Sequence, residues 1–175
     1  MATGRIGRVV EGALGGALGT AFIQQAMRLA PKLPPALRPP EMKADPAEVV
    51  TERVERASGQ RLSPAVRDIV ERSLGWAYGV GWGAALGAVA DRLGIRTWRD
   101  AAVAGAAAGV AVWAVGYGGW LPAAAITKPL RRQGLTHIAS ALATHVAYGV
   151  LTALPLVPRR VARPPSPLVL GPRSV

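Results

Sequence analysis

The sequence predicts an all-α protein, a polytopic membrane bundle of four helices with a capped amphipathic helix in the first loop. Two observations carry this. Four apolar runs, at about 9–27, 73–90, 98–121 and 135–157, are separated by charged boundaries with recognisable helix starts. Half of the 175 residues are hydrophobic, yet only one is Phe and 21 are Gly. So thin an apolar composition does not fill a soluble core at close-packed density, whereas membrane helices packed through small residues tolerate it.

The first run follows Arg5 and Arg8 and extends from Val9 to Met27, with Glu11 near its start and Gln24 and Gln25 near its end. It carries two overlapping GxxxG pairs, Gly12/Gly16 and Gly15/Gly19. A secretory signal calls for a greasier centre and a small-residue cleavage site, so the run is read as the first transmembrane helix. A polar segment, 28–72, comes next. Its PKLPPALRPP stretch (31–40) cannot be helical, because successive prolines remove donors and push their neighbours to extended geometry. Asp45 then caps a helix with Pro46 at its first position and Glu48 at its third. In that helix Val49, Val50, Val54 and Ala57 form an apolar face opposite Glu52, Arg53, Glu55 and Arg56, so it is expected on the membrane surface or across the end of the bundle.

Ser63 and Pro64 start another helix. Its membrane part, about Ser73 to Ala90, is about 27 Å long, close to the hydrocarbon thickness. Within it Gly75, Gly79, Gly83 and Gly87 recur every fourth residue, and this row predicts the closest backbone approach in the bundle or in an oligomer. Asp91, Arg92, Arg96 and Arg99 mark the exit. Thr97 with Asp100 opens the third span, which carries Gly105/Gly109 and ends at Pro122. After a loop with Lys128, Arg131 and Arg132, the fourth span runs to Val157. Residues 1–157 thus form a single membrane domain, and 158–175 a basic, proline-rich tail expected to be disordered. AYGV occurs at 77–80 and again at 147–150, which suggests two related helical hairpins.

GAAAGVAVWAVGYGGWLPAAAITKP and QGLTHIASALATHVAYGV, with WAYGVGWGAALG before them, carry a family likeness. Over about 73–155 the chain resembles the YagU-like family of small, uncharacterised bacterial inner-membrane proteins. Trp113, Leu121, Pro122, His145, Tyr148 and Gly149 match that pattern of a Gly/Ala helix ending in Leu-Pro and a later His shortly before Tyr-Gly. The resemblance implies a multi-pass inner-membrane protein and supplies no activity.

The candidate polar residues inside the membrane are Glu11, His145 and Tyr148. Glu11 lies three residues after Arg8, so an interfacial ion pair is expected. His137 and His145 sit about 80° apart around their helix, not at the four-residue spacing of a metal pair, so no metal is expected. Trp98 and Trp120 fall at the two ends of the third span, where indole rings settle at headgroup level. With no Cys in the chain, disulfides and thiolate metal sites are excluded. No catalytic triad, paired carboxylates, phosphate loop or dinucleotide fingerprint can be assembled, so neither an enzyme nor a cofactor is expected. The net charge of +11 is spread between the apolar runs and not along one stripe, which argues for lipid over nucleic acid. The expected partners are the bilayer, anionic headgroups facing Arg159, Arg160 and Arg163, and a second copy or an unidentified membrane protein.

The expected function is structural or accessory helix packing in the bacterial inner membrane through Gly12, Gly16, Gly75, Gly79, Gly83, Gly87, Gly105 and Gly109. The alternative is a small transporter or channel subunit using Glu11 and His145. Both termini are expected in the cytoplasm. That orientation takes the cations of the 28–72 loop to lie far from the bilayer or to be paired with acids there, while Arg159, Arg160 and Arg163 flank the last span.

Overall fold

The computed structural model describes residues 2–158 of the chain, so the expected headgroup residues Arg159, Arg160 and Arg163 lie outside the described residues. Every regular element described is helical. The long helices are α1 (Ala2–Leu29), α3 (Pro64–Val89), α4 (Trp98–Val115) and α6 (Leu135–Ala153), with a shorter α2 (Pro46–Ser58) in the first loop and a three-residue α5 (Leu121–Ala123) finishing α4.

The capping residues read from the sequence act as expected. The Asp45 carboxylate accepts from the Ala47 N–H at 2.7 Å, and Ser63 Oγ accepts from Val66 N–H at 3.5 Å. Thr97 and Asp100 close a reciprocal capping box, with Thr97 Oγ1 accepting from Asp100 N–H and the Asp100 carboxylate from Thr97 N–H.

The helical rod that opens at Trp98 does not stop before Pro122 but continues through it to Ala123. The Pro122 ring would collide with the carbonyl four residues back, and the chain avoids this by passing through a π turn at Gly116–Trp120. There Leu121 N–H donates to the Gly116 carbonyl, five residues back, and helix resumes to Ala123.

The exits of α3 and of the α4–α5 rod share one design. Each ends in a left-handed residue, Gly94 (φ 67°) after α3 and Ala125 (φ 61°) after α5. The following isoleucine N–H, of Ile95 or Ile126, donates to the carbonyl of Ala90 or Leu121 in a Schellman cap. Both isoleucines are almost completely buried, so each cap also seeds a packed cluster.

The bundle order is α3, α1, α6, α4, and each neighbouring pair is antiparallel, as the contacts below establish. Bulky side chains are packed chiefly near the two ends. At one end Leu86, Ala90, Ile95, Ala101, Ala153 and Leu156 form a core; at the other Tyr117, Leu121, Ile126 and Ala141 do, with Met42, Val49, Trp113 and Trp120 against them.

Met42 and Val49 belong to the polar loop, so residues 28–72 fold back onto that second end instead of extending away from it. Lys43 N–H donates to the Ile126 carbonyl at 3.0 Å, Ser140 Oγ donates to the Leu37 carbonyl, and His137 Nδ1 bonds the Arg38 carbonyl. The prolines of 31–40 form short 3-10 turns between extended residues. Arg67 joins α2 to α3, with Glu71 at 2.8 Å, Glu52 at 3.4 Å, Glu55 at 3.5 Å and Glu48 at 3.9 Å. The hydrogen bond to Glu71, with Glu55 and Glu52 behind it, holds the Arg67 pKa above its ordinary value.

Candidate helix-packing site

α1 is the central helix, because its two GxxxG pairs point in different directions. Gly12 and Gly16 face α3. A Cβ built on Gly12 would overlap the Gly83 carbonyl oxygen and lie 2.9 Å from Gly87 Cα. One on Gly83 would overlap the Gly12 carbonyl oxygen and lie 2.7 Å from Gly16 N and Cα. The α-hydrogens in those directions therefore point at carbonyls reciprocally, the geometry of interhelical Cα–H···O contacts. Farther along, Gly16 meets Gly79, and Gly87 meets the Arg8 carbonyl. Gly75, the remaining member of the α3 row, has nothing within 4 Å, so the close contact ends before it.

Gly15 and Gly19 face α6 instead. Gly15 abuts the Thr152 backbone, and a Cβ on Gly19 would lie 2.6 Å from the Tyr148 ring and from Thr152 Oγ1. Tyr148 lies across this glycine groove and donates its hydroxyl to the Gly79 carbonyl of α3 at 2.9 Å. One buried side chain thus bonds three helices together. Thr20 and Thr152 return their hydroxyls to carbonyls four residues back, of Gly16 and Tyr148, each at 2.8 Å, which leaves no free polar group in the contact.

The α4–α6 pair repeats the device. Gly105 and Gly149 face one another's carbonyls, and Gly109 sits on the backbone of His145 and Val146. Gly79 and Gly149, the glycines of the two AYGV segments, therefore occupy matching places, each opposite a glycine of its partner helix.

Glu11 and His145 are not brought together. Glu11 lies 3.6 Å from Arg8, whose guanidinium also bonds Asp91 at 3.0 Å and the Leu156 carbonyl, so the acid sits at the end of the bundle where α1 begins and α3 and α6 finish. His145 lies near the middle of the Leu135–Leu156 element, well along the bundle from Glu11. Its Nδ1 bonds the Ala141 carbonyl at 2.8 Å and its ring meets Tyr117 edge-on at 5.7 Å. Among the described residues no three His, Asp or Glu gather as a metal site would require.

Among the described residues three elements are long and apolar enough to cross a membrane, Gly4–Lys32, Trp98–Ala123 and Leu135–Leu156. α3 does not meet that measure, since Gly75, Gly79, Gly81, Gly83, Gly87, Trp76, Tyr78 and Trp82 add little hydropathy. The outer face of α1 is an uninterrupted apolar stripe of exposed Ile6, Val10, Leu14 and Leu18 at four-residue spacing.

The sequence reading missed two parts of this site: the role of Gly15/Gly19 as a second face, and Arg8 as a clasp for three helix ends. The first had a visible signal, because two GxxxG pairs offset by three residues point in different directions around one helix. The second had none, since Asp91 and Leu156 are remote from Arg8 in sequence. Comparison with known protein families, curated proteins and solved structures finds no match to this chain.

Proposed function

We propose that the chain is a structural, helix-packing protein of the bacterial inner membrane, with four spans and both termini on one side. The observation that carries this reading is the direct backbone contact of α1 with α3 and of α4 with α6 through facing glycines. α3 runs antiparallel beside α1 from Gly87 to Gly79, over the heart of an apolar span, so a membrane around α1 also surrounds α3. The exposed stripe on α1 and exposed Val103 on α4 are the faces that lipid would cover. The family resemblance agrees with a multi-pass inner-membrane protein.

A transport reading wants polar groups converging on one cavity near the midplane. Glu11 instead sits at one end of the bundle and His145 in the middle of its helix, each with a local partner, so the two share no site and the scaffold reading is favoured. The test is reconstitution of the wild type and of the Glu11→Gln/His145→Phe double variant into vesicles with an internal pH dye. The scaffold reading expects proton flux equal to that of empty vesicles for both proteins. A wild-type flux that the double variant loses would refute it.

A further inference from the structure

We propose that the end of the bundle carrying residues 28–72 and the 124–134 loop is a cationic shelf seated on an anionic lipid surface, so that this end faces the cytoplasm and both termini face away from it. The inference rests on the membrane reading above and reverses the orientation expected from sequence, which assumed that the loop charges lie far from the bilayer or are paired. Lys43 N–H bonds the Ile126 carbonyl, and Met42 and Val49 pack on the cluster at the end of α4, so the loop is held against the bundle end. Loops this short count fully in the positive-inside bias, and their acids count little.

Pairing within the loop sharpens the field. Glu48, Glu52, Glu55 and Glu71 converge on the single guanidinium of Arg67, and Asp68 pairs with Arg72. Four of these acids thereby share one cation, while Asp68, Glu41 and Asp45 stay exposed. Lys43, Arg53, Arg61, Lys128, Arg131 and Arg132 form no ion pair among the described residues. Beside these cations lie exposed Val50, Val54, Val66 and Ile69, which fall outside the apolar run of α3. On α3 the exposed side continues from Val66 and Ile69 to Trp76. Apolar side chains flanked by unpaired cations are the chemistry of a helix lying in an anionic headgroup layer. The opposite end carries fewer such cations: Arg8 is bound to Glu11 and Asp91, and Arg5, Arg92, Arg96 and Arg99 form no ion pair among the described residues.

The occupant is the leaflet of the protein's own bilayer, and the test reads both side and contact. Single cysteines, Glu41→Cys on the shelf and Leu93→Cys in the α3–α4 loop, are treated with a membrane-impermeant thiol reagent in intact and in permeabilised bacteria. Leu93→Cys should react in intact cells and Glu41→Cys only after permeabilisation. The reverse pattern, or reaction of both in intact cells, overturns the orientation. Reaction of neither overturns it too, and signals failure of the membrane reading itself. Lipid contact is read by a spin label on Val54→Cys in nanodiscs holding one copy, with Val103→Cys, on the exposed face of α4, as the hydrocarbon control. A label at 54 that immobilises and gains oxygen accessibility when phosphatidylcholine is replaced by phosphatidylglycerol supports the shelf. A label at 54 indifferent to the lipid, while that at 103 stays in hydrocarbon, overturns the shelf and leaves the bundle standing.

Discussion

Replacing Gly83 and Gly75 by Ala compares one substitution at two positions of the same helix. Each gains the usual advantage of Ala over Gly in a helix interior, about 0.5–1 kcal/mol. At Gly75 nothing lies within 4 Å of the new methyl, so that gain is the whole effect. At Gly83 the methyl overlaps the Gly12 carbonyl and comes within 2.7 Å of Gly16 N and Cα. All three atoms are backbone in α1, and none can swing aside as a side chain would. The helices must separate, at about 1–3 kcal/mol for overpacking, with reciprocal Cα–H···O contacts of about 0.5–1 kcal/mol each weakened. Gly83→Ala is therefore expected about 2–3 kcal/mol less stable than Gly75→Ala. At about 2–4 °C per kcal/mol for a chain of this size, the two melting midpoints should differ by about 5–10 °C. The assay is thermal unfolding in one detergent, followed by circular dichroism at 222 nm. Equal midpoints, or a lower one for Gly75→Ala, would refute the reasoning that α1 and α3 touch backbone to backbone.

Three further outcomes follow from single contacts. Ala125→Gly removes the left-handed strain of a non-glycine residue, about 1–2 kcal/mol, against a loss of about 0.4–1 kcal/mol through the unfolded chain, so it should raise the detergent melting midpoint by a few degrees; a fall would contradict the Schellman geometry. Tyr148→Phe deletes the hydroxyl bond to Gly79 and should lower stability by about 0.6–1.7 kcal/mol in the same assay, whereas no change would mean that the bond does not join α6 to α3. Arg67→Gln leaves Glu48, Glu52, Glu55 and Glu71 facing one another without their shared cation. Limited proteolysis in the 59–63 linker should then speed up, and an unchanged cleavage rate would show that α2 is held by other contacts.

How far the fold was legible depends on the range of the interactions involved. Asp45, Ser63 and the Thr97–Asp100 pair act on backbone groups within a few residues, so their spacing alone located three helix starts. The glycine row in α3 was also visible, yet which of its members make contact was not. Gly75 stands on the same stripe as Gly79, and only the path of α1 decides that contact stops between them. The row also drew attention to α3, although α1, with two glycine faces, is the helix that meets both neighbours. Pro122 reads as a stop because the π turn that accommodates it is a property of the whole rod. Ala125 carries no turn signal of its own, since glycine is the residue expected at that conformation. The apolar face assigned to α2 was half right: Val49 docks on the bundle, while Val50 and Val54 remain outside. Glu11 beside Arg8 was foreseeable from three-residue spacing. Its separation from His145 along the bundle became evident once each had its tertiary neighbours.

The central claim is that α3, despite its modest hydropathy, crosses the bilayer beside α1. A nitroxide attached at Gly81→Cys, a position with nothing within 4 Å of its Cβ direction, reads this by paramagnetic accessibility in nanodiscs. A lipid-facing α3 predicts high collision with oxygen and low collision with a water-soluble nickel chelate, matching a label at Val103→Cys. Nickel accessibility at position 81 as high as at Arg61→Cys in the polar loop would place α3 in water and contradict the account.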